Sequence, residues 1–188
     1  MPQAAGCPIR CFAKKKGENM LFELNQKEPE LFSGDLLVYF IRESKGSAVP
    51  CSSKAVRKAL KRAWKSGDFT GNKGQTFLFY PSASSKKLAA RRVLAVGLDK
   101  KEDTSDNNAL REQLRSAAGT AVQQATGLKV KSMMFVPPET TGLADTEVAE
   151  CLTEGLILGS YRFDKYKSTQ ESEDERTEIE TFSLQVGR

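Results

Sequence analysis

The stretch DLLVYFIRE, residues 35–43, constrains this chain more than any other. Six consecutive apolar side chains run from Leu36 to Ile41, and four of them, Val38, Tyr39, Phe40 and Ile41, are β-branched or aromatic. Such residues favour strands, and a strand sends alternate side chains to opposite faces. This strand is apolar on both faces. It is therefore expected at the centre of a sheet with a covering layer on each side, and the rest of the chain has to supply both layers.

Helical periodicity appears three times. In residues 53–65, SKAVRKALKRAWK, the residues Val56, Leu60, Ala63 and Trp64 recur at helical spacing, and the preceding serines can cap the helix. Residues 106–126 carry Leu110, Leu114, Ala117, Ala118, Ala121, Val122 and Ala125 on one stripe, small enough for close packing on a sheet. Asp103 to Asp106 supply its capping residues, and Gly127 falls where a C-terminal glycine cap belongs. A third helix is expected from about Thr146 to Tyr161. Short apolar runs at 20–24, 76–81, 91–98, 130–136 and 180–186 read as further strands. The order is β-β-α-β-β-α-β-α-β, which predicts a three-layer α/β/α domain with a mixed sheet. Three segments follow: a leader over 1–33, whose lysine-rich residues 1–18 are either mobile or an edge strand; the main domain over 34–168; and an acidic linker with a last strand over 169–188.

Histidine is absent from all 188 residues. That removes the usual Ser-His and Cys-His nucleophiles, the commonest zinc ligand and the commonest general base near neutral pH. The four cysteines are Cys7, Cys11, Cys51 and Cys151; only the first two are close, as C-x-x-x-C, and nothing completes a zinc set. Cys151 falls on an apolar helical face and reads as core. No catalytic, cofactor-binding or metal-ligating residue is nominated, and no cofactor is expected in this chain. No apolar run approaches the ~20 residues of a membrane span. The N-terminus lacks the apolar centre of a secretory signal, so a cytoplasmic protein without a membrane partner is expected.

The net charge of +5 is uneven: residues 169–188 hold six acids against two bases, leaving +9 on residues 1–168. Lys54, Arg57, Lys58, Lys61, Arg62 and Lys65 cover one side of the helix 53–65 without an acid. That side is either a nucleic-acid or acidic-partner surface or a solvated outer face, and no aromatics interleave with its charges to stack bases. SGDFTGNKGQT, 66–76, imitates a phosphate loop. The Walker pattern, however, lies between strand and helix, and this segment lies between helix and strand with different spacing. Leu98-Asp99-Lys100 is expected to follow a strand end, where open α/β sheets place ligands or simply turn into the next helix.

EGLILGSYRFDKYKS, 154–168, closes the main domain. Gly155 and Gly159 share a stripe with Val148, Cys151 and Leu152, which predicts tight packing of the helix on the sheet, with Tyr161, Phe163 and Tyr166 wrapping over the edge. The same segment, as E-G-x-x-L-x-x-Y-x-F-x-x-Y-K, resembles the close of the N-terminal domain of the leucyl aminopeptidase (cytosol aminopeptidase) family. DLLVYFI, FTGNKGQ, RRVLAVGLDKKED and the alanine-rich helix before VKSMMFVPP fall in the family's order, so the resemblance covers about residues 34–168. It implies a macro-domain-like fold. It also implies a noncatalytic accessory domain of a two-metal exopeptidase, helping to assemble a hexamer and limiting access to the active sites. Zinc or manganese would sit in a catalytic C-terminal domain around N-T-D-A-E-G-R-L, a motif this chain lacks. The partners implied are that domain and further copies, with nucleic acid at the helix 53–65 a further candidate. The alternative is a macro-like module for a nucleotide, ADP-ribose or nucleic acid.

Overall fold

The structure, a computed structural model, describes residues 10–15, 18–43, 51–81, 88–100, 106–138, 142–161 and 179–186. Ten regular elements follow one another among them: β1 (Arg10–Lys15), β2 (Glu18–Asn25), β3 (Leu36–Glu43), α1 (Lys54–Ser66), β4 (Thr76–Phe79), β5 (Arg92–Lys100), α2 (Asn107–Gly127), β6 (Ser132–Val136), α3 (Asp145–Ser160) and β7 (Thr181–Gln185). A 3-10 turn over Pro29–Leu31 precedes β3. The strands form one sheet in the order β1-β2-β7-β6-β3-β5-β4. The five inner strands are parallel, and β1 and β4 run antiparallel at the two edges.

β3 holds the position its composition demands. It lies between β6 and β5, and no residue from Leu36 to Ile41 is more than 3% exposed. Leu36, Val38 and Phe40 enter one core with Leu94, Val96, Met133 and Phe135, under α2 and α3. Leu37, Tyr39 and Ile41 enter a second core with Val93, Ala95, Met134 and Val136, under Val56, Leu60 and Ala63 of α1. The period-two alternation thus divides one strand between two layers. Each large side chain so buried contributes about 1.5–3 kcal/mol. The expected α/β/α sandwich is the observed one. The edge strand considered for the leader exists as β1, paired antiparallel with β2.

Asp35 ties β3 to β6 just ahead of both strands. Its carboxylate accepts from the backbone N–H groups of Lys131 (3.1 Å) and Ser132 (3.2 Å), and from Arg91 (3.2 Å). Burial pushes its pKa up, but those donors outweigh burial and hold it below the usual carboxylate value.

Several expectations change. Gly127 is the last helical residue of α2, and the left-handed position belongs to Lys129 at φ 53°. The chain reverses there because Val130 N–H bonds back to Ala125 (3.0 Å). Leu98, Asp99 and Lys100 do not follow a strand end: β5 continues through them, extended beyond the apolar run by pairing of Lys100 with Glu43.

The glycines of α3 face a helix and not the sheet. α2 and α3 lie side by side in one layer, and the residues of α3 are divided between two neighbours. Val148, Cys151, Leu152 and Leu156 reach the core. Gly155 and Gly159 turn toward α2. A Cβ on Gly155 would stand 2.3 Å from the Arg115 carbonyl oxygen and 2.7 Å from the Ala118 Cβ; one on Gly159 would stand 2.8 Å from the Gly119 Cα. Tyr161 is 62% exposed, so the expected wrapping over the edge does not bury it, while Phe163 and Tyr166 lie outside the described residues.

The two helices need glycine unequally. Gly155→Ala is expected to lower stability by about 1–2 kcal/mol, because the forced contact outweighs the gain in helix propensity. Gly119→Ala meets only the Gly155 carbonyl oxygen, at 3.7 Å, and is expected to be neutral or to stabilise by up to ~1 kcal/mol. Urea denaturation of both variants checks this; equal destabilisation by the two would contradict the contact.

Candidate interaction surfaces

The α1 helix is fixed at its start by Ser53, whose hydroxyl oxygen accepts from Val56 N–H (3.5 Å) and donates to Glu30 (2.6 Å). It ends at Gly67, left-handed at φ 81°, a conformation that favours glycine. Its buried stripe leaves Lys54, Lys58, Lys61, Arg62 and Lys65 exposed. Together with Arg57 they line a depression of about 470 Å³. Arg57 is partly engaged, donating through Nε to the Cys51 carbonyl (3.0 Å). The other five form no ion pair among the described residues.

The opposite layer treats its charges differently. Arg111 of α2 pairs with Glu147 of α3, and Arg115 with Glu154 at 2.5 Å. The Arg111 hydrogen bond holds the Glu147 carboxyl below its usual range, helped by the Ala144 N–H at the start of α3. On α1, by contrast, like charges face one another at i, i+3 and i, i+4, each pair costing about 0.2–0.5 kcal/mol. Lys54 also stands at the positive end of the helix dipole, and the first turn holds no acid. The sequence names these six residues and shows no acid among them; the fold adds that no acid of another described element pairs with the lysines or Arg62.

The turn-rich connection 66–75 is closed on itself. The Gln75 side-chain oxygen accepts from Thr70 N–H (2.8 Å), Gly71 N–H (3.1 Å) and the Thr70 hydroxyl (3.0 Å). Gly74 and Gln75 N–H groups bond to Gly97 and Asn72 carbonyls. These donors are unavailable to a phosphate. The loop instead clamps β5: a Cβ on Gly97 would stand 2.0 Å from the Asn72 carbonyl oxygen. Gln75 was not singled out from sequence, where nothing marks a glutamine as a loop's internal acceptor.

A second candidate place follows from the topology. β3 sends the chain through α1 toward β5, while its neighbour β6 sends it through α3 toward β7, on the other face. Adjacent strands whose connections diverge create a switch point at their C-terminal ends, where open sheets bind ligands. Arg42 lies at this end of β3, 6% exposed, with its pKa lowered by burial. Sequence reasoning did not select it. The segments 44–50 and 139–141 that follow the two strands lie outside the described residues.

Cys51 and Cys151 are buried and not joined in a disulfide, and burial pushes the Cys151 thiol up, away from thiolate chemistry. Cys7 lies outside the described residues, and Cys11 is in β1. Among the described residues no three Cys, Asp or Glu side chains gather into a metal site, and no helix is long and apolar enough to cross a membrane.

A parallel-centred sheet with helices on both faces and a switch point between β6 and β3 defines a three-layer domain of the macrodomain type. Solved structures agree on the fold. An Oceanobacillus iheyensis macrodomain mutant superposes with a TM-score of 0.63 at 11% identity, over 96% of this chain and 90% of its own. A tomato leucine aminopeptidase mutant superposes with a TM-score of 0.65 at 16% identity, over 93% of this chain and 34% of its own. Residues 37–170 match the family described as "Cytosol aminopeptidase family, N-terminal domain", and the chain belongs to that family. A relative from Desulforapulum autotrophicum, "Probable cytosol aminopeptidase", is 34% identical over 161 residues, spanning 85% of this chain and 31% of the relative. The chain thus covers about a third of the length of such relatives.

Proposed function

We propose that this chain serves as the noncatalytic N-terminal domain of a cytoplasmic, metal-dependent leucyl aminopeptidase, with residues 34–168 as its structural unit. Its role there is to help assemble a hexamer and to restrict access to the active sites. The observation that carries this reading is the family match over residues 37–170 in a chain that corresponds to 31% of a full-length relative. The chemistry belongs to the remaining part, where zinc or manganese would activate water and polarise the scissile carbonyl. The sequence has no histidine, and among the described residues no carboxylates and thiols cluster to fit such a metal. No catalytic step is therefore assigned to it.

The 188-residue chain, incubated with Mn²⁺ or Zn²⁺ and leucine p-nitroanilide, is expected to release no p-nitroaniline above buffer. Robust metal-dependent turnover would overturn the reading. For the assembly role, light scattering should find the hexamer when the catalytic part carries this domain and smaller species when it does not.

The switch point between β3 and β6 favours a second reading, a macro-like module for a nucleotide or ADP-ribose. Calorimetric titration of the chain with ADP-ribose decides it, and an absence of binding heat removes it.

A further inference from the structure

We infer that the outer face of α1 docks a short acidic protein segment that carries an apolar side chain among its carboxylates. This rests on the α1 face alone and is independent of the aminopeptidase reading. Lys54, Lys58, Lys61 and Lys65 recur along the helix over about 16 Å, with Arg62 beside them and Arg57 partly engaged. None of the first five pairs with an acid among the described residues. Like charges repel along the helix, and a lysine opens it where an acid would stabilise it. Local rules broken together on one face are a mark of function, and what this face lacks is negative charge.

The walls of the depression select the kind of anion. It measures about 470 Å³, and most of its surface is carbon, the methylene stems of its lysines and arginines. A phosphate backbone has nothing to bury against such walls. An apolar side chain flanked by carboxylates does: the stems cover the side chain while the cationic heads meet the carboxylates. Trp64 adds to the apolar floor. It lies three residues beyond Lys61 and next to Lys65, half-buried, with its ring edge-on to Phe69 at 6.1 Å. The two ends of the helix set the length. Glu30 stands at the start, accepting from the capping Ser53 hydroxyl (2.6 Å), and Asp68 is exposed just past the end. A long, uniformly charged duplex would carry its phosphates onto these carboxylates. A segment of about five extended residues spans the same 16 Å and finishes between them.

Trp64 is the only tryptophan of the chain, so its emission reports on this face. The test titrates the intact chain, at about 50 mM salt, with an end-capped synthetic peptide in which one leucine is flanked on each side by two glutamates. Saturable binding with a shift of Trp64 emission to shorter wavelength is expected. The same peptide with glycine for leucine should bind at least ~fivefold more weakly, having no side chain to bury. Replacing Lys58, Lys61 and Lys65 with methionine keeps the stems and removes the charges, and should weaken binding by about tenfold. Methionine forms helix as well as lysine does, so that variant should melt like the parent, which separates lost binding from lost folding. Lys129→Gln, an exposed lysine beyond α2 in the other layer, should bind as the parent does. No emission change up to about 1 mM peptide, equal affinity for the glycine peptide, or unchanged affinity in the triple variant would overturn the inference. So would a mixed-sequence DNA duplex that binds more tightly than the peptide under the same conditions.

Discussion

Everything in this domain depends on burying β3 from both sides. A strand with Leu36, Val38 and Phe40 on one face and Leu37, Tyr39 and Ile41 on the other cannot rest on a one-sided sheet. It needs α2 and α3 above and α1 below, and it needs β6 and β5 to satisfy its backbone on either edge. The two helical layers are reached by crossovers that diverge from β3 and β6. The switch point between β3 and β6 is therefore a consequence of the same burial, not a separate invention.

The two layers are built by different physics. α2 and α3 approach so closely that glycine is needed at the crossing, and their arginines are neutralised by Glu147 and Glu154 across the contact. That layer is finished within the chain. α1 covers the other face with Val56, Leu60 and Ala63, and its lysines and Arg62 form no ion pair among the described residues. Among the described residues, the helices of one layer pair their charges with each other and the helix of the other does not.

What could be read from sequence was whatever a local period encodes. The strand 35–43, the three helices and the order of elements follow from alternation or helical spacing, and the observed bounds lie within a few residues of the expected ones. What could not be read depended on a neighbour distant in sequence. Gly155 and Gly159 announce a close approach, but only the fold says that α2, not the sheet, makes it. Leu98 to Lys100 extend β5 because Glu43 is beside them. Lys129 takes the left-handed turn that Gly127 seemed made for, because the helix stops one residue later than its pattern suggests. For function, the family resemblance carried more than any single residue. Neither Arg42 nor the unpaired state of α1 has a sequence signature.

The most direct measurement is native-state hydrogen exchange on the 188-residue chain. If β3 is the shared wall of both cores, amides from Leu37 to Ile41 exchange only through global unfolding, with the same free energy as the buried turns of both α1 and α2. Exchange of β3 through a cheaper opening, with α1 or the α2–α3 layer leaving first and the rest intact, would contradict the account.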